Sequence, residues 1–187
     1  MTAPASLAPT LLLSMPQLLD PNFTHTVILL CSHTKEGAFG LVVNRPAVTT
    51  GRIVVNLEPP VSTDRELEVW VGGPVEPQRS WMLIGEELAS ADDERGMKIA
   101  SGVSLSTSPE LLRRMIEREA PARTRLVLGY SGWSAGQLEA ELQESSWLMC
   151  DVDAGLIFDT PADSMWEAAI RRLGADPAAL QMSRGVH

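Results

Sequence analysis

The chain has little cysteine, little histidine, few cations and no long apolar run, and each shortage removes a class of function. Its two cysteines, Cys31 and Cys150, lie far apart inside apolar segments. Two such residues make no disulfide framework, and free Cys in apolar surroundings packs as a small hydrophobe. No run approaches the roughly 18 apolar residues that span a bilayer, so no membrane association is expected. The apolar patch at 11–13 is not a secretory signal, because the first Lys or Arg is Lys35 and the positive n-region is missing. A cytoplasmic location is expected. With 15 Lys and Arg against 24 Asp and Glu, the formal net charge is −9. Non-specific grip on nucleic acid draws on cations that displace phosphate counterions, so this charge disfavours it. The densest basic cluster is Arg113, Arg114, Arg118, Arg123 and Arg125, interleaved with Glu110, Glu117 and Glu119. Its i,i+4 pairs read as a self-paired helix face in solvent.

What is present is enough chain, 187 residues, for one substantial core, and one domain over 1–187 is expected. The first half reads as strands at 11–15, 26–32, 39–44, 67–71, 81–84 and 103–106. Residues 47–64 have a poor pattern and a Pro59-Pro60 pair, which predicts loop, and the acidic 86–94 predicts an exposed loop. Ser108 as N-cap and Pro109 at the first helical position begin a helix with Leu111, Leu112, Met115 and Ile116 on one face, and Pro121 bars its continuation. Ser134 and Gln137 form the Ser-x-x-Gln pattern of a capping box, and Trp133 and Leu138 are spaced for a hydrophobic staple. Thr160 as cap and Pro161 open a third helix with Met165, Trp166, Ala169, Ile170 and Leu173 as its stripe, ended by Gly174. Strands at 126–130, 147–150 and 156–158 alternate with these helices, so the class is α+β or mixed α/β. The five tryptophans lie in or beside apolar elements without interleaved cations, which fits core better than a base-stacking platform.

The stretch Gly129-Tyr130-Ser131-Gly132-Trp133-Ser134-Ala135-Gly136-Gln137-Leu138-Glu139 reads as strand, glycine-rich turn, helix. Such a connection is where α/β proteins often hold ligands, and it is also simply a tight connection. As a nucleophile elbow it fails: Trp133 stands at the last glycine of Gly-x-Ser-x-Gly, and the only histidine after Ser131 is the terminal His187. As a Walker loop it fails too, having no Gly-Lys-Ser/Thr, and no lysine follows Lys98. An anion on backbone N–H groups near Gly132 to Gly136 competes with Ser134 as cap and is repelled by Glu139 and Glu141.

Cys31 and His33 are too few for a zinc site. As a nucleophilic pair on one strand they would stand about 7 Å apart, beyond hydrogen-bond reach. Arg45, after Asn44 and before Pro46, could bind a carboxylate or phosphate, or anchor a turn through carbonyls. A ligand-binding pocket is therefore expected from His33, Asn44, Arg45, Ser131, Gly132 and Gln137 if they converge. No cofactor, metal or catalytic residue is assigned.

Several blocks occur in order along the chain: Met15-Pro16 with Asp20-Pro21-Asn22-Phe23, then 26–33, 37–46, Gly72-Gly73-Pro74-Val75, 129–139, Trp147-Leu148 and Ile157-Phe158. With them the sequence resembles the bacterial YqgE/AlgH family. The resemblance implies an α+β fold: a mixed β-sheet folded into a flattened pseudo-barrel with helices packed outside. It implies a cytosolic bacterial protein, and a family label of transcriptional regulator that comes from a link to alginate production. Where the family usually reads Cys-Glu-His-Asn, this chain reads Cys31-Ser32-His33-Thr34. The first expectation is a non-enzymatic regulatory or interaction protein that binds a protein partner or a small anionic ligand. The alternatives are an enzyme of unrecognised type using His33 as acid/base with Arg45, and a specific nucleic-acid-binding regulator.

Overall fold

The computed structural model describes residues 5–16, 23–86 and 96–182. Residues 20–22 of the first resemblance block, nearly all of the acidic loop expected at 86–94, and His187 lie outside the described residues. The strands are β1 (Thr10–Ser14), β2 (Val27–Thr34), β3 (Gly37–Val42), β4 (Pro46–Val48), β5 (Ile53–Val55), β6 (Val61–Thr63), β7 (Glu68–Val71), β8 (Val75–Ile84), β9 (Gly96–Ala100), β10 (Val103–Ser106), β11 (Thr124–Ser134) and β12 (Trp147–Cys150). The helices are α1 (Pro109–Glu117), α2 (Gln137–Gln143), α3 (Ala154–Phe158), α4 (Ala162–Arg172) and α5 (Pro177–Met182).

The main sheet runs β12-β1-β2-β3-β11-β8-β10-β9, with β7 also pairing β11 and β4 pairing β7. Every pairing is antiparallel except β7 with β11. One apolar cluster takes Leu11, Leu29, Leu41, Trp70, Leu83 and Leu105, residues from both halves of this sheet. That sharing requires the sheet to curl around them, and Leu156, Ile157, Met165 and Trp166 from α3 and α4 complete the cluster. The opposite face is covered twice, by α1 over Met82 and Leu126 and by α2 with Trp147 over Leu12, Ile28 and Val42. Strands covered on both faces read as continuous apolar runs rather than alternating ones. This is why β1 is buried at every position, Leu11 and Leu13 on one side and Leu12 on the other. The expected α+β architecture with a curled mixed sheet is the one found.

Five local expectations are corrected. Residues 131–134, expected as turn after a strand at 126–130, are the end of an eleven-residue strand, β11. The ladder with β3 at Ser131–Gly40 through Ser134–Gly37 holds them extended, and Gly129 makes a bulge at φ 75°. Residues 156–158 belong to helix α3, because Asp153 Oδ1 accepts the Leu156 N–H at 2.8 Å and caps a turn there. The loop expected at 47–64 contains the short strands β5 and β6, and β4 begins at Pro46 on an edge where no ladder donor is needed. Helix α2 starts at Gln137 with Gly136, at φ 77°, as its N-cap, not Ser134. The Gln half of the capping box survives: Gln137 Oε1 accepts the Ser134 N–H at 3.0 Å. Trp133 and Leu138 pack in one cluster, as a staple requires. Helix α4 is capped by Pro161, one residue after Thr160. Among the described residues no helix is long and apolar enough to cross a membrane.

Candidate functional site

The six candidate residues fall into two groups. Asn44 and Arg45 clamp the turn that enters β2. Asn44 Oδ1 accepts the Val27 N–H at 3.1 Å and its Nδ2 donates to His25 O at 2.9 Å. Arg45 donates to Thr26 Oγ1 at 2.9 Å and Thr24 O at 3.3 Å, the turn-anchoring role. His33, Ser131, Gly132 and Gln137 gather at the other end of β2, where Gly132 pairs with Phe39 and His33 with Ala38. Val27 and His33 are six residues apart on one strand, so the groups are separated by about 20 Å. His33 and Arg45 therefore do not share one pocket.

Within the second group, Ser131 is buried and its Oγ donates to Gly72 O at 3.2 Å. His33 is buried with both ring nitrogens engaged. Nδ1 accepts the Leu7 N–H at 3.1 Å, which leaves the proton on Nε2 to be donated to Glu139 Oε1 at 2.5 Å. The ring thus ties residue 7, β2 and α2 together. The carboxyl of Glu139 is held below the usual carboxylate range by its own backbone N–H first and then by His33. A depressed carboxyl stabilises the fold above its unfolded pKa, and that contribution is lost as pH falls through the folded value. Glu139→Gln keeps an acceptor for Nε2–H but loses the charge. Wild type is expected to be the more stable at neutral pH, with the gap closing as pH falls below the ordinary glutamate pKa of about 4.3; urea melts at neutral and acidic pH check it. A gap independent of pH would remove the ionic contribution.

Cys31 sits at a bulge, where the β2–β3 register shifts between Leu30 and Ser32. Burial pushes its thiol up to about 12, so it stays protonated at neutral pH. Among the described residues no three His, Cys, Asp or Glu side chains come together as a metal site.

A ring-lined cleft adjoins the groove that reaches Gly132. The cleft, of about 580 Å³, is lined by Phe39, Arg79, Trp81, Met97, Leu105 and Tyr130, with Gly96 and Thr107 at its rim. Phe39 and Tyr130 also line an adjoining groove of about 510 Å³ that reaches Gly132, Thr34 and Glu36. Three rings make the cleft's walls. Phe39 stacks on Trp81 at 5.3 Å and 27°, and Tyr130 stands edge-on to both at 85° and 84°. Arg79 lies over Trp81 at 4.5 Å and over Tyr130 at 6.0 Å. A guanidinium over a ring face is attracted by the ring quadrupole.

The backbone places Arg79 there. Where β11 passes from Leu128 to Tyr130, β8 spans Val75 to Ser80, so residues 76–79 swell out of the ladder. Glu76, at φ 43°, begins this swelling, and its Oε2 accepts from Arg79 Nη1 at 3.4 Å. The nearby Glu76 carboxylate holds the Tyr130 phenol above its ordinary pKa. Trp81 is buried, and among the described residues its Nε1–H has no partner. The sequence pattern marks a strand only at 81–84 with Trp81 as core, whereas β8 begins at Val75 and carries Arg79. The available signal was the Arg79-Ser80-Trp81 spacing, which puts cation and ring on one side of a strand.

Curled sheet, two-sided helical cover and ring-lined cleft define an α+β protein built around a half-barrel. The chain belongs to the AlgH-like family, whose family model matches residues 11–178. It is 41% identical over 181 residues to a UPF0301 protein of Magnetococcus marinus, covering 94% of each chain. It is 38% identical over 190 residues to a UPF0301 protein of Anaeromyxobacter dehalogenans, covering 98% of this chain and 96% of that one. The solution structure of AlgH from Pseudomonas aeruginosa matches with a TM-score of 0.71 at 33% identity, covering 100% of this chain and 98% of that one. A Corynebacterium diphtheriae protein solved by X-ray crystallography, 18% identical with a TM-score of 0.66 over 97% and 93% of the two chains, shares the fold. The family resemblance read from the sequence blocks is borne out.

Proposed function

We propose that this chain is a cytosolic binding protein with a regulatory role, and that it takes a small anionic ligand in the cleft between Phe39, Trp81, Tyr130 and Arg79. One observation carries the reading: a single arginine lies over the rings that wall a cleft of ligand size. Rings supply apolar area, and a guanidinium supplies charge and direction for an anion. Both free cysteines are consistent with a reducing compartment. Gly132, from the candidate set, belongs to the groove that continues this cleft.

A regulator acting on DNA would need a cationic face. Here Arg79 is paired with Glu76, and Glu36 lines the adjoining groove. A gel shift at low salt tests that alternative, because phosphate contacts must weaken as salt rises.

The test of the binding reading is a thermal-shift screen of metabolite anions on wild type and Arg79→Ala. A ligand at about 100 times its Kd adds about 2.7 kcal/mol, which for a chain of this size raises the midpoint by about 5–10 °C. The shift is expected to vanish in Arg79→Ala. A shift that survives this substitution would place the ligand elsewhere, and no shift with any anion would transfer the reading to a protein partner.

A further inference from the structure

We infer that the ligand of this cleft is an aromatic monocarboxylate, which seats its ring among Phe39, Trp81 and Tyr130 and its carboxylate on Arg79 in place of Glu76. The inference rests on the binding reading above and names its ligand class. The wall geometry supplies the first half of it. Phe39 and Trp81 are near-parallel while Tyr130 stands across both, and all three line the cleft. A flat aromatic body meets offset-stacked and edge-to-face contacts there at once. A volume of about 580 Å³ admits one- or two-ring molecules.

Glu76 supplies the second half. Its carboxylate lies on Arg79, with Oε2 accepting from Nη1 at 3.4 Å. The chain thus shows which chemical group Arg79 receives here: a planar monoanion with two oxygens. Among the described residues that line the cleft, Arg79 is the sole cation, while Glu76 and Glu36 stand close by. A phosphate dianion would want more donors and would meet stronger repulsion than a carboxylate. The contact of Glu76 with Arg79 is exposed on both sides, with 55% and 50% of the side chains accessible, so little is lost in breaking it. Glu76 is therefore a resident competitor. It keeps Arg79 folded over the rings when the cleft is empty and must swing away when a ligand carboxylate arrives.

The experiment is isothermal titration of the full chain with 2-naphthoate, 2-naphthamide and 2-naphthyl phosphate, on wild type, Glu76→Gln, Arg79→Ala and Arg79→Lys, each first checked for an unchanged melting profile. Expected are binding of 2-naphthoate by wild type, at least tenfold weaker binding of the amide, and weaker binding of the phosphate. Glu76→Gln should bind the naphthoate at least threefold more tightly. Arg79→Ala should lose at least tenfold, and Arg79→Lys should recover only part of that, since a lysine lacks the planar fork. Equal affinity for acid and amide, a preference for the phosphate, or no gain in Glu76→Gln would overturn the inference while leaving an Arg79-dependent cleft standing. Failure of both wild type and Glu76→Gln to bind any of the three would overturn the inference, and an accompanying lack of response to the wider anion screen would remove the binding reading as well.

Discussion

Gly73→Ala is expected to cost about 3–5 kcal/mol in a urea melt, a large share of a typical domain stability of about 5–15 kcal/mol. A Cβ on Gly73 would lie 2.3 Å from both the carbonyl carbon and oxygen of Tyr130 and 2.5 Å from Ser131 Oγ. These neighbours are mainly backbone of the central strand β11, which cannot give way without shifting its ladders with β3 and β8. The position also has φ 151°, which L side chains seldom adopt. Its surroundings are equally tight: a Cβ on Gly72 would come to 2.5 Å of Gly129 O, and one on Gly129 to 2.5 Å of Gly73 O. Three glycines thus face each other where the chain leaving β7 crosses the bulge of β11. Gly51 is the control. It has φ 76° and no heavy atom within 4 Å of an added Cβ, so alanine there should cost only the backbone strain of about 1–2 kcal/mol. Equal losses at Gly73 and Gly51 would show that close approach contributes nothing.

The second large effect is expected at Trp166. This side chain is buried on α4, its Nε1–H donates to Ser14 O at 2.9 Å, and His25 stacks on it at 4.5 Å and 24°. Trp166→Ala should cost about 3–5 kcal/mol through lost area and a residual cavity. Trp166→Phe keeps much of the area but leaves the Ser14 carbonyl without that donor, a loss of about 1–3 kcal/mol. Chemical denaturation of the two variants separates the terms. A phenylalanine variant as unstable as the alanine one would make the hydrogen bond, and not the area, the larger contribution.

Much of the fold was legible because local chemistry and tertiary context agree. Ser108 caps α1 as its sequence demands, accepting the Leu111 N–H at 3.3 Å, and Pro109 opens the helix. The apolar runs of β1 and β2 are strands because both their faces are covered. Legibility failed where partners distant in sequence decide. The glycines at 129–132 have turn chemistry, yet Gly37–Gly40 on one side and Val75–Ser80 on the other hold them in a ladder. Gly129 answers to close packing against Gly73, which no local window contains, whereas a Cβ on Gly132 would meet nothing nearer than 3.6 Å. Residues 156–158 are too few for a period to show, and Asp153 decides for helix.

The site follows the same division. His33, Ser131, Gly132 and Gln137 do gather, because the hairpin of β2 and β3 returns them to β11. Asn44 and Arg45 lie a strand's length away, holding the turn at 24–27. Arg79 was passed over because its place depends on a swelling in β8 that only the register with β11 reveals.

The pairing of β1 with β12, and of Ser14 with Trp166, also sets a timetable for the newly made chain. The 152 residues between Ser14 and Trp166 take about 8–30 s to synthesise at roughly 5–20 residues per second. During that interval β1 and β2 can form their hairpin but lack the helix that seals one face and the strand that covers an edge. Strands this apolar and this incomplete are prone to pair with other chains. Until α4 and β12 have been made, the exposed faces and edge of this hairpin are where pairing between incomplete chains would start.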